Sequence, residues 1–191
     1  MKAPSSRGTV KPAVDAAAEE RTAALSRDLS RFEFTFITFF FGYSRWVEKC
    51  MEAAGIRGLG ALDILVLHAV NHRARRRRLS EVAMVLNIED VHLVGYSLKK
   101  LAAAGLVRTD QDGRHRLYEA TESGDAACAA YRQTRESHLV ESLERLLGDG
   151  SQLVNDSHFL RLLMGAYDQA GRFAMAESLE RLPVPPVRTK R

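Results

Sequence analysis

Large apolar residues recur in alternating steps of four and three from Phe32 through Phe36, Phe39, Tyr43 and Trp46 to Cys50, the spacing of a seam along a helix that packs against another helix. Phe40, Val47 and Met51 widen the seam. Between residues 18 and 54 there is no proline and only Gly42 as an interruption, so the pattern predicts one long helix. An aromatic face this dense exceeds the apolar surface a monomer ordinarily leaves in water. Either the chain's own core covers it or a partner subunit does, and both can hold on different faces.

Gly55, Gly58 and Gly60 then break the helix, and Leu62, Leu65, Val66 and Ala69 mark a second one over 59–72. The arginine-rich run 72–78 reads as a charged connector, and Ser80 is placed to cap a short helix over 81–86 with Val82, Val85 and Leu86 inward. Asn87 stands as the cap of a fourth helix over 88–104, which stops at Gly105, the residue type expected just past a helix end. Next, 106–109 and 114–119 flank Asp110-Gln111-Asp112-Gly113, an Asp-Gly hairpin signal. Thr121 and Glu122 open a helical stretch to about 147, Gly148-Asp149-Gly150 ends it, and a last helix over 156–182 stops before Pro183-Val184-Pro185-Pro186. The arm 1–18, rich in Pro, Ser and Ala, is expected to be disordered and the tail 183–191 flexible.

The expected fold is therefore mainly α with a small β-hairpin wing. A winged helix-turn-helix lobe over 57–121 lies between a long N-terminal helix over 19–56 and C-terminal helices over 122–182. In a winged helix the third helix of the tri-helical unit enters the DNA major groove. On a helical wheel of 88–104, Val91, Val94, Leu98 and Leu101 fall on one side, and His92, Tyr96, Lys99, Lys100 and Ala103 on the other. The second face offers two ammoniums, an imidazole and a phenol for phosphates or base edges, with Gly95 and Ala103 small enough for close approach. A solvated helix face would carry the same residues. Glu89 and Asp90 suit the helix dipole but repel phosphates.

The formal charge of +4 over 191 residues permits a nucleic-acid partner without demanding one, so position decides. From 57 to 120 there are eleven cations against seven anions. Arg76, Arg77 and Arg78 precede the short helix, and Arg114, His115 and Arg116 lie on the hairpin. In a winged helix both places flank the recognition helix, so cations there straddle the duplex backbone. DNA contacts are accordingly expected from Arg76, Arg77, Arg78, Ser80, His92, Tyr96, Lys99, Lys100, Arg114, His115 and Arg116.

With these elements in this order, the chain resembles the MarR family of bacterial transcription regulators. The resemblance lies in Leu79-Ser80-Glu81-Val82-Ala83, in Lys100-Leu101 with Gly105-Leu106-Val107, and in Asp112-Gly113-Arg114 leading to Ala120-Thr121-Glu122-Ser123-Gly124. It implies a homodimer built from N- and C-terminal helices, with Phe32, Phe36, Phe39, Tyr43, Phe159, Leu163 and Phe173 at the interface. The recognition helix at about 88–104 would lie in the major groove of a palindromic operator, and the hairpin at about 107–119 would act as the wing. The resemblance also gives Asp112 the task of holding the hairpin and Arg114 that of reaching the minor groove. The chain departs from the family in a shorter wing, a longer recognition segment and Ala120 in place of a leucine.

Other chemistry finds less support. Cys50 and Cys128 are too few for a disulfide scaffold, which makes the cytoplasm the expected compartment, and Cys50 on the seam is a small hydrophobe or a redox switch. His68 and His72, four apart, bring two imidazoles together without a third metal ligand nearby in sequence, and no metal or cofactor is expected. No nucleophile elbow, P-loop or dinucleotide fingerprint occurs, so no enzymatic activity is expected. The apolar run 32–43 is too short to span a membrane. Two alternatives stay open beside the DNA-binding regulator: an adaptor using its winged helix as a protein-binding surface, and a regulator answering a small apolar effector held by Phe34, Phe41 or Trp46.

Overall fold

The computed structural model describes residues 16–73 and 75–180. The tail 183–191 and all but the last residues of the arm 1–18 lie outside them. The chain divides into two units at the Thr134–Arg135 junction.

Helix α1, Ala16–Ala53, is the long helix the seam predicts. Its exposed hydroxyls bond back to carbonyls one turn earlier, as Thr35 does to Arg31 and Ser44 to Phe40, which keeps them compatible with helical backbone. The seam divides along its length. Val47, Cys50 and Met51 enter the core with Trp46 packed beside them, whereas Phe36, Phe39 and Phe40 are exposed.

Helix α2, Ala61–Asn71, follows the glycine-marked turn. Its first free N–H groups are satisfied from two sides: Ala61 donates to the Glu48 carboxylate of α1 at 2.9 Å, and Gly60 to the Asp63 carboxylate at 3.0 Å. The arginine run is more than a connector. Arg77–Arg78 form strand β1, placed at the edge of a three-stranded antiparallel sheet of order β1-β3-β2. Strands β2, Val107–Asp112, and β3, His115–Ala120, make the predicted hairpin. Asp112 pairs with His115, so the turn is Gly113-Arg114, with Gly113 at φ +57°, a conformation glycine adopts without strain.

Helix α3, Leu79–Val85, starts one residue before Ser80, which is therefore not its cap. Glu81 closes the first turn instead, its carboxylate accepting from the Arg78 N–H at 2.8 Å. Val82 and Ala83 are buried while Val85 is exposed, a correction to its expected inward position. Asn87 does not cap the next helix either. It sits at φ +53°, and Asp90 is the cap of α4, Val91–Ala103, its carboxylate accepting from the His92 N–H at 2.9 Å. Asp90 thus spends its carboxylate on the helix end, and α4 begins later than residue 88. Helix α5, Glu122–Arg135, returns Ala127, Cys128 and Tyr131 to the core.

The second unit holds a π-helical turn, Glu136–Val140, then α6, Glu141–Leu147, and α7, Ser151–Glu180. Helix α7 begins five residues earlier than the expected start at 156. Phe159 and Phe173 are exposed on it, and Leu163 is half-buried. No described helix is long and apolar enough to cross a membrane.

Candidate nucleic-acid interface

Val94, Leu98 and Leu101 seat α4 in the core, which turns His92, Tyr96 and Lys99 outward. Tyr96 is 69% exposed, and the Lys99 ammonium lies 5.7 Å from its ring centroid, a cation–π distance. Ala103 is exposed on the same helix. A Cβ at Gly95 would lie 3.4 Å from Leu79 Cδ1, which marks where α3 packs beside α4.

Beside that contact, Arg78, Leu79, Ser80, Arg114, His115, Arg116 and Tyr118 line an open cleft of about 460 Å³. The cleft gathers five of the expected DNA-contacting residues from α3, β1 and the wing. Among the described residues, Arg78, Arg114 and Arg116 make no ion pair with an acid. Leu79 lines the cleft and touches α4, which makes the cleft and the α4 face neighbours.

Other cations on the expected roster are engaged within the protein. Arg77 is 3% exposed and donates to the His72 carbonyl at 3.0 Å, so it cannot reach a phosphate; the tertiary fold removes it from the contact set. Arg76 pairs with Asp110 at 2.6 Å and with Glu119 at 3.3 Å, and Arg108 joins Glu119 at 2.9 Å. The hydrogen bond from Arg108 and the charge of Arg76 hold the Glu119 carboxyl below its ordinary value. Lys100 pairs with Asp63 at 2.6 Å, which separates it from Lys99 although the wheel gave the two one role. Asp63 itself is a buried acid that the periodicity passed over. Burial pushes its carboxyl up, but bonds from Lys100, Ser97 and the Gly60 N–H outweigh that and hold it below the usual range. The signal was a lone acid within the apolar run of α2.

The remaining candidates fall elsewhere. Phe34 and Phe41 are exposed at 70% and 56%, while Trp46 packs against the core. His68 meets the Tyr131 ring edge-on at a centroid distance of 4.5 Å, and His72 is exposed. Both cysteines are buried and free. Burial raises the Cys50 thiol and pushes Cys128 up to about 11, so both remain protonated at neutral pH. A disulfide reagent such as Ellman's is expected to label neither thiol in the native chain and both after denaturation. Fast native labelling of Cys50 would return it to the redox reading.

Residues 59–124 match the winged helix DNA-binding domain family. The fold is also found in NMB1585, a MarR family regulator from Neisseria meningitidis, with a TM-score of 0.56 and 19% identity over 75% of this chain and 98% of that one. A MarR variant from E. coli complexed with operator DNA gives 0.57 and 16% identity over 71% and 95%. CouR from Rhodococcus jostii RHA1, bound to p-coumaroyl-CoA, gives 0.50 and 21% over 66% and 86%. At these identities the likeness is one of fold. No curated protein matches the sequence.

Proposed function

We propose that this chain, with its winged-helix lobe and MarR-like fold, is a sequence-specific DNA-binding transcription regulator that acts as a homodimer. One observation carries the reading: the outward face of α4, with His92, Tyr96 and Lys99, adjoins a cleft where Arg78, Arg114, His115 and Arg116 converge. In this reading α4 enters the major groove, and the cleft holds the flanking phosphates. That concentration of cations favours a polyanion over the protein partner an adaptor would engage. The exposed aromatic length of α1 and the apolar residues of α7 supply the surface for a second copy. In that pairing Phe32, Phe36, Phe39 and Tyr43 meet the partner with Phe159, Leu163 and Phe173.

Salt tests the reading. Binding to duplex fragments, followed by fluorescence anisotropy, is expected to weaken steeply as salt rises. Replacing Arg114 and Arg116 together by Ala should flatten the slope of log K against log salt by about 3.6, roughly 0.9 per phosphate contact with both protomers of the dimer on the duplex. Replacing His92 and Tyr96 by Ala should leave that slope in place while eroding the preference for the operator over random sequence. Binding indifferent to salt, or a slope untouched by the arginine replacements, would overturn the proposal.

A further inference from the structure

Asp63 is 8% exposed, yet it contacts three donors: the Gly60 N–H at 3.0 Å, the Ser97 hydroxyl at 2.7 Å and the Lys100 ammonium at 2.6 Å. Ser97 and Lys100 are three residues apart, so one carboxylate on α2 grips two points on neighbouring turns of α4. Apolar packing by Val94, Leu98 and Leu101 sets how deep α4 sits but is nondirectional and yields to rotation about the helix axis. Hydrogen bonds are directional and do not. With side chains reaching about 5–6 Å from the axis, a turn of roughly 20° moves their tips by about 2 Å, enough to break a bond to a base edge. The partner that most strongly resists such a turn is Asp63.

The same contact decides a second matter. The Lys100 ammonium and the Asp63 carboxylate neutralise one another, whereas Lys99 next to it makes no ion pair among the described residues and leans over Tyr96. Building on the DNA-binding reading, we propose that Asp63 is a positioning residue that fixes the rotation of the DNA-reading helix and withholds Lys100 from the phosphate backbone. Two adjacent lysines, alike in sequence, then divide their work: Lys99 faces the nucleic acid, and Lys100 anchors the helix that presents it.

The test uses the full chain, a duplex selected by that chain from a random pool, and an unrelated duplex of equal length, titrated with salt. Lys99→Ala is expected to flatten the slope of log K against log salt by about 1.8, roughly 0.9 from each protomer of the dimer, and Lys100→Met to leave it unchanged. Asp63→Asn keeps a side chain of the same size but loses the charge. It is expected to steepen the slope on the unrelated duplex as Lys100 is released, and to lower the selected-to-unrelated affinity ratio at least tenfold. Ser97→Ala should lower that ratio by a smaller factor at an unchanged slope.

Equal flattening by Lys100→Met and Lys99→Ala would overturn the proposal, as would a selected-to-unrelated ratio that survives Asp63→Asn. The lysine pair answers even where Asp63→Asn fails to fold. A wild-type chain that binds no duplex would instead remove the DNA-binding reading, and this inference with it.

Discussion

Gly124→Ala is expected to destabilise the fold by about 3 kcal/mol or more, at or beyond the upper end of the overpacking range. A Cβ at Gly124 would overlap the carbonyl oxygen of Leu106 and stand 3.1 Å from its carbon. Both are backbone atoms, and neither can swing aside. Thr121 binds this junction from both ends. Its N–H donates to Leu106 O at 3.1 Å, its hydroxyl donates to Gly105 O at 2.6 Å, and the Thr121 hydroxyl oxygen accepts from the Gly124 N–H at 3.1 Å.

Relief of the clash would lift α5 and draw Ala127, Cys128 and Tyr131 out of the core. At about 2–4 °C per kcal/mol for a chain of this size, the melting temperature followed by circular dichroism should fall by roughly 10 °C. Gly95→Ala provides the contrast. Its Cβ would meet only the flexible end of Leu79 at 3.4 Å, and alanine inside a helix gains roughly 0.5–1 kcal/mol over glycine. Coincident melting of Gly124→Ala and wild type would refute the close approach of α5 to the Leu106 backbone.

Replacing Phe36 and Phe39 together by Asp is expected to convert the proposed dimer into a monomer that melts as a folded chain. Phe36 is 45% exposed and Phe39 63%, and neither contributes to the buried core, so the fold does not depend on them. Burial of a phenylalanine side chain is worth about 1.5–3 kcal/mol, and a two-fold interface counts each substitution twice. With about half of each ring left to bury, four lost rings amount to about 3–6 kcal/mol, roughly two to four decades in Kd, before the cost of placing charges in an apolar interface. Sedimentation equilibrium across a range of concentrations reads the change directly. A wild-type chain that sediments as a monomer, or a variant that still dimerises with wild-type affinity, would move the partner surface away from α1.

Much of the winged-helix lobe was legible because its signals are local. The seam of α1, the glycines before α2 and the Asp112-Gly113 pair each act over a few residues, and the elements appear where those residues place them. Errors arose at boundaries where two local signals competed. Ser80 and Asn87 are good caps in isolation, but Glu81 and Asp90 make the bonds that start α3 and α4. Strand β1 had no signal at all. Arg77 and Arg78 become a strand because Tyr118 and Leu117 of β3 lie beside them, a pairing that repeated arginines cannot announce. The outward placement of His92, Tyr96 and Lys99 on α4 and of Arg114, His115 and Arg116 on the wing was legible from periodicity and the hairpin, whereas Arg77 was misplaced because a burial pattern cannot be read from a run of identical charges.

Apart from β1, the sequence by itself determined the order and kind of the elements in the winged-helix lobe, and with them the outward face of α4, because helical period and turn chemistry are settled between near neighbours. Only the tertiary structure decided which charges remain available to a partner. Lys100 finds Asp63 across 37 positions of chain, and Arg76 finds Glu119 across 43. A cation's availability depends on the acid that folding brings beside it, and a one-dimensional pattern holds no measure of that distance.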